Sequence, residues 1–328
     1  MRPIAFCCLL FAVGNAGGSP RPLRPAHTFS IVARDPATGQ LGVAVQSHWF
    51  NVGTEVPWAE AGVGVVATQS FVDVSYGPLG LGLMRGGKSA EQALKALLAA
   101  DAHADVRQVA MVDAKGHVAQ WTGAHCIHAA GMAKGDGYSA QSNMMDRPTV
   151  PAAMGRAFAS AKGELVDRLL AALEAAQAEG GDIRGKQSAA LIVVGPTVTG
   201  VQERDRPFDL RVEDGPNPIP ELRRLVHLGK AYNHMNAGDA ATTAGDIDGA
   251  VREYAAAEAM EPPPASNGEM VFWHAVMLVS AGRVDASLPL FAQAFHQDPR
   301  WRELVKRLPA AGVLPSDAKV LARISAVR

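Results

Sequence analysis

The stretch HTFSIVARDPATGQLGVAVQSH, residues 27–48, decides how the front of this chain folds. Two runs rich in β-branched residues, 28–34 and 41–47, flank DPATGQ, whose Asp-Pro start and Gly39 are typical of a turn. The stretch therefore predicts a β-hairpin whose first strand begins with a threonine, Thr28.

Hydrophobic patterning places this hairpin in a larger mixed domain. Further strands are predicted over 61–69, 107–113, 117–123, 188–194 and 208–212, and helices after the Ser89 capping box and over 150–160 and 164–178. Because strands come first, then helices, then strands again, the order favours an α+β layered domain over an alternating doubly wound sheet.

Charge and motif content exclude several classes of function. The chain carries 31 Lys and Arg against 32 Asp and Glu, so no nucleic-acid partner is expected. It lacks a glycine-rich phosphate loop, and no cofactor is indicated. The AHCIH stretch, 124–128, has no second cluster at metal-ligand spacing, so we predict no metal site and a small buried thiol for Cys126.

The first 18 residues, MRPIAFCCLLFAVGNAGG, have the pattern of a secretory signal peptide, with one Arg, an apolar run and small residues before a cleavage site near Ala16. We therefore expect a periplasmic or secreted protein. The apolar run is half the ~20 residues that a span needs, so no stable membrane insertion is expected. Residues 19–26, SPRPLRPA, predict an extended proline-rich arm.

Residues 214–220, DGPNPIP, predict a linker, and residues 221–328 a helical repeat domain. Four residues recur 37 positions later: Gly245, Tyr254, Ala257 and Pro262 as Gly282, Phe291, Ala294 and Pro299. This period is typical of tetratricopeptide-like helix pairs, with GDAATTAG, 238–245, interpreted as an insertion that lengthens the first turn. Two repeats rarely stand alone, so we expect them to pack on the front domain or on a second copy, which makes a homodimer a further expectation.

Several stretches of the front domain, 27–213, together resemble the domain-of-unknown-function family 1028. They are TFSIVARDPATGQLGVAVQS, VPWAEAGVGVVATQS, SYGPLGLGLM, DGYSAQSNMM and GGDIRGKQSAALIVV. The resemblance covers Thr28 to about Val212. It implies the N-terminal-nucleophile hydrolase fold, a layered αββα sandwich, and it names no substrate.

In that class of hydrolase a Thr, Ser or Cys becomes the first residue, and its own α-amine, which titrates near ~7.7–8.0, acts as its base. The resemblance implies Thr28 as the nucleophile. A hydrolase of this kind would act on a small amide or peptide-like substrate, which is the expectation for this chain. It places Ser47 as a lining residue. Gln69 and Asn143 are amide donors of the kind that an oxyanion hole uses.

Two hypotheses remain open because His27 and the arm precede Thr28, and an internal threonine has no α-amine. In the first, processing exposes Thr28 and the protein hydrolyses an amide. In the second, Thr28 is an ordinary strand residue, and the chain is a non-catalytic envelope binding protein whose helical repeats dock a protein or peptide partner.

Overall fold

The computed structural model describes residues 28–260 and 267–328. The expected signal peptide (1–18), the proline-rich arm (19–26), His27 and Pro262 lie outside these residues. Within the two described ranges, no helix is both long enough and apolar enough to cross a lipid bilayer.

A six-stranded antiparallel sheet forms around the predicted hairpin. Its strands are β1 (Thr28–Arg34), β2 (Leu41–Ser47), β7 (Gly131–Gly135), β8 (Tyr138–Ser142), β9 (Ser188–Val194) and β10 (Phe208–Val212). They lie in the order β10-β9-β2-β1-β8-β7, so β1 is an inner strand between β2 and β8. The hairpin was expected, whereas β7 and β8 were not.

A four-stranded antiparallel sheet packs against the first. It contains β3 (Pro57–Glu60), β4 (Gly64–Ser70), β5 (Arg107–Asp113) and β6 (Val118–Thr122), in that order. The strand predicted over 61–69 is wrong at its start, because Gly62 has a φ of 70° and reverses the chain between β3 and β4. An apolar cluster that includes Val32, Val43, Val65 and Val112 lies between the two sheets.

Helices cover the outer faces of both sheets in the described part of the chain. The four-stranded sheet packs against α1 (Tyr76–Arg85) and α2 (Ala90–Ala100), and the six-stranded sheet against α3 (Val150–Ser160) and α4 (Leu165–Ala178). The capping box at Ser89 is present at the start of α2. The front of the molecule is therefore a mixed α+β arrangement of four layers: helices, sheet, sheet, helices.

A helical region follows β10, after a short α5 (Gln202–Asp205) in the loop before that strand. Its helices are α6 (Pro218–Thr243), α7 (Ile247–Met260), α8 (Glu269–Ser280), α9 (Val284–Gln297), α10 (Arg300–Val305) and α11 (Ala318–Ala326). Because α6 begins at Pro218, the last residues of the expected linker form its first turn. Leu222 and Val226 of α6 join the apolar cluster beneath α3 and α4, which fixes this helix to the front layers.

The interpretation of 238–245 as an inserted turn is wrong, because residues up to Thr243 continue α6. The ring of Tyr254 on α7 packs directly against Gly238, and a Cβ at this position would lie 2.7 Å from that ring. The chain reverses at Gly245, with a φ of 81°, and 37 residues later at Gly282, with a φ of 78°. The two glycines thus join α6 to α7 and α8 to α9.

Candidate functional site

Side-chain alternation along β1 decides which way Thr28 faces. Phe29 joins the apolar cluster beneath α3 and α4, whereas Val32 joins the cluster between the two sheets. Since successive strand residues point to opposite faces, Thr28 and Ser30 face the four-stranded sheet. The Ser30 hydroxyl accordingly donates a hydrogen bond of 2.6 Å to Gln69 Oε1 on β4. Thr28 therefore lies at one end of the space between the sheets.

Thr28 and Ser47 form a direct cross-strand pair of the β1–β2 hairpin. The Thr28 hydroxyl donates to Ser47 Oγ at 3.4 Å, and both residues are fully buried. Ser47 therefore contacts the Thr28 side chain, and its role as a lining residue of a substrate site stays a prediction.

The other two predicted residues hold the backbone carbonyl of Thr28. The backbone N–H of Asn143 donates to this oxygen at 3.1 Å, and Gln69 Nε2 donates to it at 3.2 Å. Asn143 and Gln69 are also fully buried. The structure thus brings Thr28, Ser47, Gln69 and Asn143 together in one buried polar cluster.

Gln108 on β5 links the members of this cluster and was missed by the sequence analysis. Its Oε1 accepts hydrogen bonds from Gln69 Nε2 at 2.7 Å and from Asn143 Nδ2 at 2.9 Å. Its Nε2 donates to the Ser142 carbonyl at 2.9 Å and to the Thr122 hydroxyl at 2.8 Å. The available signal was a glutamine within the apolar strand RQVAMVD.

A second chain of polar side chains continues between the sheets. Gln141 Nε2 donates to Ser30 Oγ at 2.6 Å. Ser139 Oγ lies 2.8 Å from Gln120 Oε1 and 3.0 Å from Gln141 Oε1, and its single hydrogen is donated to one of these two oxygens. Buried hydrogen-bonded networks rigidify a protein interior and select one arrangement of it. This network therefore gives Thr28 a fixed position.

The side-chain amides of Gln69 and Asn143 donate their hydrogen bonds to other groups of the protein in this structure. Gln69 Nε2 donates to Thr28 and Gln108, and Asn143 Nδ2 donates to Gln108. An oxyanion hole needs N–H donors 2.7–3.1 Å from the oxygen that becomes charged. These amides would have to exchange one of these hydrogen bonds for a substrate oxygen, so their oxyanion role stays a prediction.

An ion pair closes the same end of the four-stranded sheet. Arg107 pairs in register with Ser70, which has a φ of 73°, and its Nε donates to Asp101 at 2.8 Å. Burial raises the pKa of Asp101, but the hydrogen bonds from Arg107 and the backbone N–H of His103, together with the charge of Arg107, outweigh it, so the pKa lies below its usual value. Burial, followed by the charge of Asp101, raises the pKa of Tyr76. Asp101 therefore joins Arg107 and Tyr76 in one hydrogen-bonded group at this end of the sheet.

Two side chains of the AHCIH stretch, 124–128, hydrogen-bond to the segment 105–107. Cys126 Sγ donates to the Arg107 carbonyl at 3.3 Å, and burial raises the pKa of its thiol, which makes it a poor nucleophile. His125 Nδ1 lies 2.6 Å from Asp105 Oδ2. Residues 28–260 and 267–328 contain no group of three or more His, Cys, Asp or Glu that could hold a metal ion.

Asp182 fixes the strand end that carries Ser47. Its Oδ2 accepts a hydrogen bond of 3.1 Å from the backbone N–H of His48, 134 residues away, and one of 2.7 Å from Arg184 Nη2. Its side chain is buried, whereas that of Arg184 is partly exposed. Asp182 therefore ties the end of β2 to the loop before β9, a long-range contact for which the sequence held no local signal.

Known proteins match the front layers of this structure. The model of the family of unknown function DUF1028 matches residues 28–222. The crystal structure of a protein from Silicibacter pomeroyi, assigned to the same family model, superposes with a TM-score of 0.55 at 31% sequence identity, over 61% of this chain and 88% of that one. No curated protein matches this chain. The family match ends in the first turns of α6, so helices α7 to α11 lie outside it.

Proposed function

This chain belongs to the DUF1028 family of unknown function, and on that premise we propose that its front domain is an amide hydrolase of the N-terminal-nucleophile type. The position of Thr28 carries the proposal. Thr28 opens an inner strand, faces a second antiparallel sheet and lies in a buried polar cluster with Ser47, Gln69 and Asn143. The resemblance implies this position for the nucleophile of a layered αββα hydrolase.

The proposed reaction uses the α-amine of Thr28 as its base. The neutral amine takes the hydroxyl proton as Oγ1 attacks the carbonyl carbon of the substrate amide. The ammonium then gives this proton to the leaving amine as the C–N bond breaks, which leaves an ester on Thr28. Water, deprotonated by the same amine, hydrolyses the ester and restores the hydroxyl.

Exposure of this amine requires cleavage of the peptide bond between His27 and Thr28. We propose that it accompanies export, which the first 18 residues are expected to direct to the periplasm or the medium. Ser47 would orient the Thr28 hydroxyl, and Gln69 and Asn143 would donate to the oxyanion. The substrate is proposed to be a small amide or peptide-like molecule.

Two versions of the chain that differ by one residue test this mechanism. Each is fused behind a partner that a protease removes without trace, so that one product starts at Thr28 and the other at His27. Both are assayed for amine release from a panel of aminoacyl amides and short peptides. The product that starts at Thr28 is expected to be active. The Thr28→Ala variant, released so that it starts at residue 28 as well, is expected to be inactive.

Equal activity of the product that starts at His27 would contradict the α-amine mechanism, because its Thr28 nitrogen is an amide. N-terminal sequencing of protein recovered from the periplasm gives an independent check, with Thr28 as the expected first residue. A mature chain that starts near Gly17 contradicts the proposed processing. Thr28→Ser is expected to keep part of the activity, since it keeps the hydroxyl.

A second function is proposed for the helical region: tetratricopeptide-like docking of a protein or peptide segment. It rests on a cavity of about 440 Å³ lined mainly by α6 and α8, the first helices of the two helix pairs. The front layers contain the Thr28 cluster and the helical region contains this cavity, so the two functions can be tested separately.

A further inference from the structure

The walls of the cavity on the helical region are mostly apolar and aromatic. Tyr232 and Met235 come from α6, and Trp273, Val276 and Met277 come from α8. Side chains of this kind pack against the aliphatic stem of a bound side chain, and aromatic rings attract a cation placed over their faces.

One carboxylate lines this apolar cavity. Asp239 of α6 accepts a hydrogen bond from the hydroxyl of Tyr254, whose ring is buried against Gly238 and stacks on His274 with centroids 5.5 Å apart. Burial, followed by the hydrogen bond to Asp239, raises the pKa of Tyr254, so the phenol stays a donor. The carboxylate is therefore held in place by a buried group.

No cation of the described residues lies beside Asp239 within this first cavity. None of the ion pairs within 28–260 and 267–328 involves Asp239, and no Lys, Arg or His lines the cavity. A fixed carboxylate beside aromatic walls is complementary to a ligand that carries a cation on an apolar stem.

The shape of the surface indicates an extended ligand. A second cavity of about 530 Å³ lies between α6 and the loop before β10, and the two cavities share Asn236 and Asp239. The two adjoining cavities are together called the depression; Asn236 and Asp239 are the residues they share, and the oppositely charged Glu203 and Arg204 line its second part. An exposed amide such as that of Asn236 can hydrogen-bond the backbone of a peptide.

We propose that this depression binds an extended segment of a partner protein and takes one Lys or Arg side chain of that segment into the cavity, with the cation at Asp239. The inference rests on the docking function proposed above for the helical region. Tyr232 and Trp273 contact the stem of the inserted side chain, and Asn236 contacts the backbone of the segment.

An array of octapeptides tests the inference on the full chain. The central residue is Arg, Lys, norleucine or Glu, and the flanking positions are randomised. Arg and Lys peptides are expected to be retained in preference to norleucine and Glu peptides. By fluorescence anisotropy, the best peptide should bind Asp239→Asn at least ~10-fold more weakly, since the variant loses a close charge pair. Asparagine still accepts the hydrogen bond of Tyr254, so circular dichroism should not change.

Glu303→Gln is the matched control, because it removes an exposed carboxylate of α10 that lies outside the cavity. This variant should bind the best peptide as the unmodified chain does. Peptides retained without preference for a cation would overturn this inference and leave the docking function in place. No retained peptide would overturn both. Arginine amide bound as tightly as the best peptide would overturn the assignment to a protein segment.

Discussion

The hydroxyls of Thr28 and Ser47 lie 3.4 Å apart in the buried end of the space between the two sheets. The contact follows from the hairpin register, in which these two residues pair directly across β1 and β2. A slip of one residue in this register would turn one hydroxyl to the opposite face of the sheet. The DPATGQ turn therefore sets the geometry of the candidate site.

Ser47→Ala is predicted to lower the kcat of the form that starts at Thr28 by about 10-fold, because a hydrogen bond that orients the nucleophile is lost. The free energy of unfolding should fall by no more than about 1 kcal/mol. Ser47→Thr keeps the hydroxyl and should recover part of the rate. Steady-state assays and urea titrations measure the two effects. An unchanged kcat in Ser47→Ala would limit Ser47 to a structural role.

Gln108→Leu is predicted to destabilise the fold by about 3 kcal/mol, because the buried amides of Gln69 and Asn143 lose a shared acceptor. Urea titration followed by far-UV circular dichroism measures the change. Gln202→Leu on the exposed α5 is the control and should stay within about 0.5 kcal/mol. Equal effects of the two substitutions would show that the network contributes little to stability.

The hairpin could be predicted from the sequence because its signals are local. Alternating β-branched residues and the Asp-Pro turn define β1 and β2, and the capping box at Ser89 defines the start of α2. Because Thr28 is the first residue of β1, the predicted hairpin also located Thr28 at one end of the sheet, where the candidate site lies. Gln69 and Asn143 were chosen as amide donors with support from the resemblance, since nothing local in the sequence shows that both contact the carbonyl of Thr28.

Features that depend on packing could not be predicted in this way. The glycine-rich stretch of α1 has low helix propensity, and it forms a helix because its small residues let it approach the sheet closely. Gln108 and Asp182 act through partners that are far away in sequence. In the helical region, Gly238 belongs to a helix because it packs on Tyr254, although a glycine there resembles a turn signal.

Acid is predicted to destabilise the fold in part through Asp101. The pKa of Asp101 is lower in the folded state than its unfolded value near ~3.9, so its carboxylate stabilises the fold above that value. This contribution is lost as the pH falls through the lowered folded pKa, with a slope of at most about 1.4 kcal/mol per pH unit.

Unfolding free energies from pH 6 to pH 3 test this prediction. The stability difference between the unmodified chain and Asp101→Asn should shrink as the pH falls. Asp136→Asn is the control, because Asp136 lies exposed between β7 and β8. The pH trend for Asp101→Asn is compared with that of this variant, which removes a carboxylate without removing a buried contact. A constant difference for Asp101→Asn would contradict the assignment.

Two glycines of the same helix are predicted to respond to alanine in opposite ways. A Cβ at Gly77 would overlap the indole ring of Trp58, whereas a Cβ at Gly82 would meet nothing within 4 Å. Gly77→Ala should therefore lower the free energy of unfolding by about 2 kcal/mol or more, since α1 must move away from β3. Gly82→Ala should raise it by about 0.5–1 kcal/mol, because alanine loses less backbone entropy in a helix. Thermal and urea unfolding of both variants give the comparison, and destabilisation of equal size at both positions would refute close packing of α1 as the reason for its glycines.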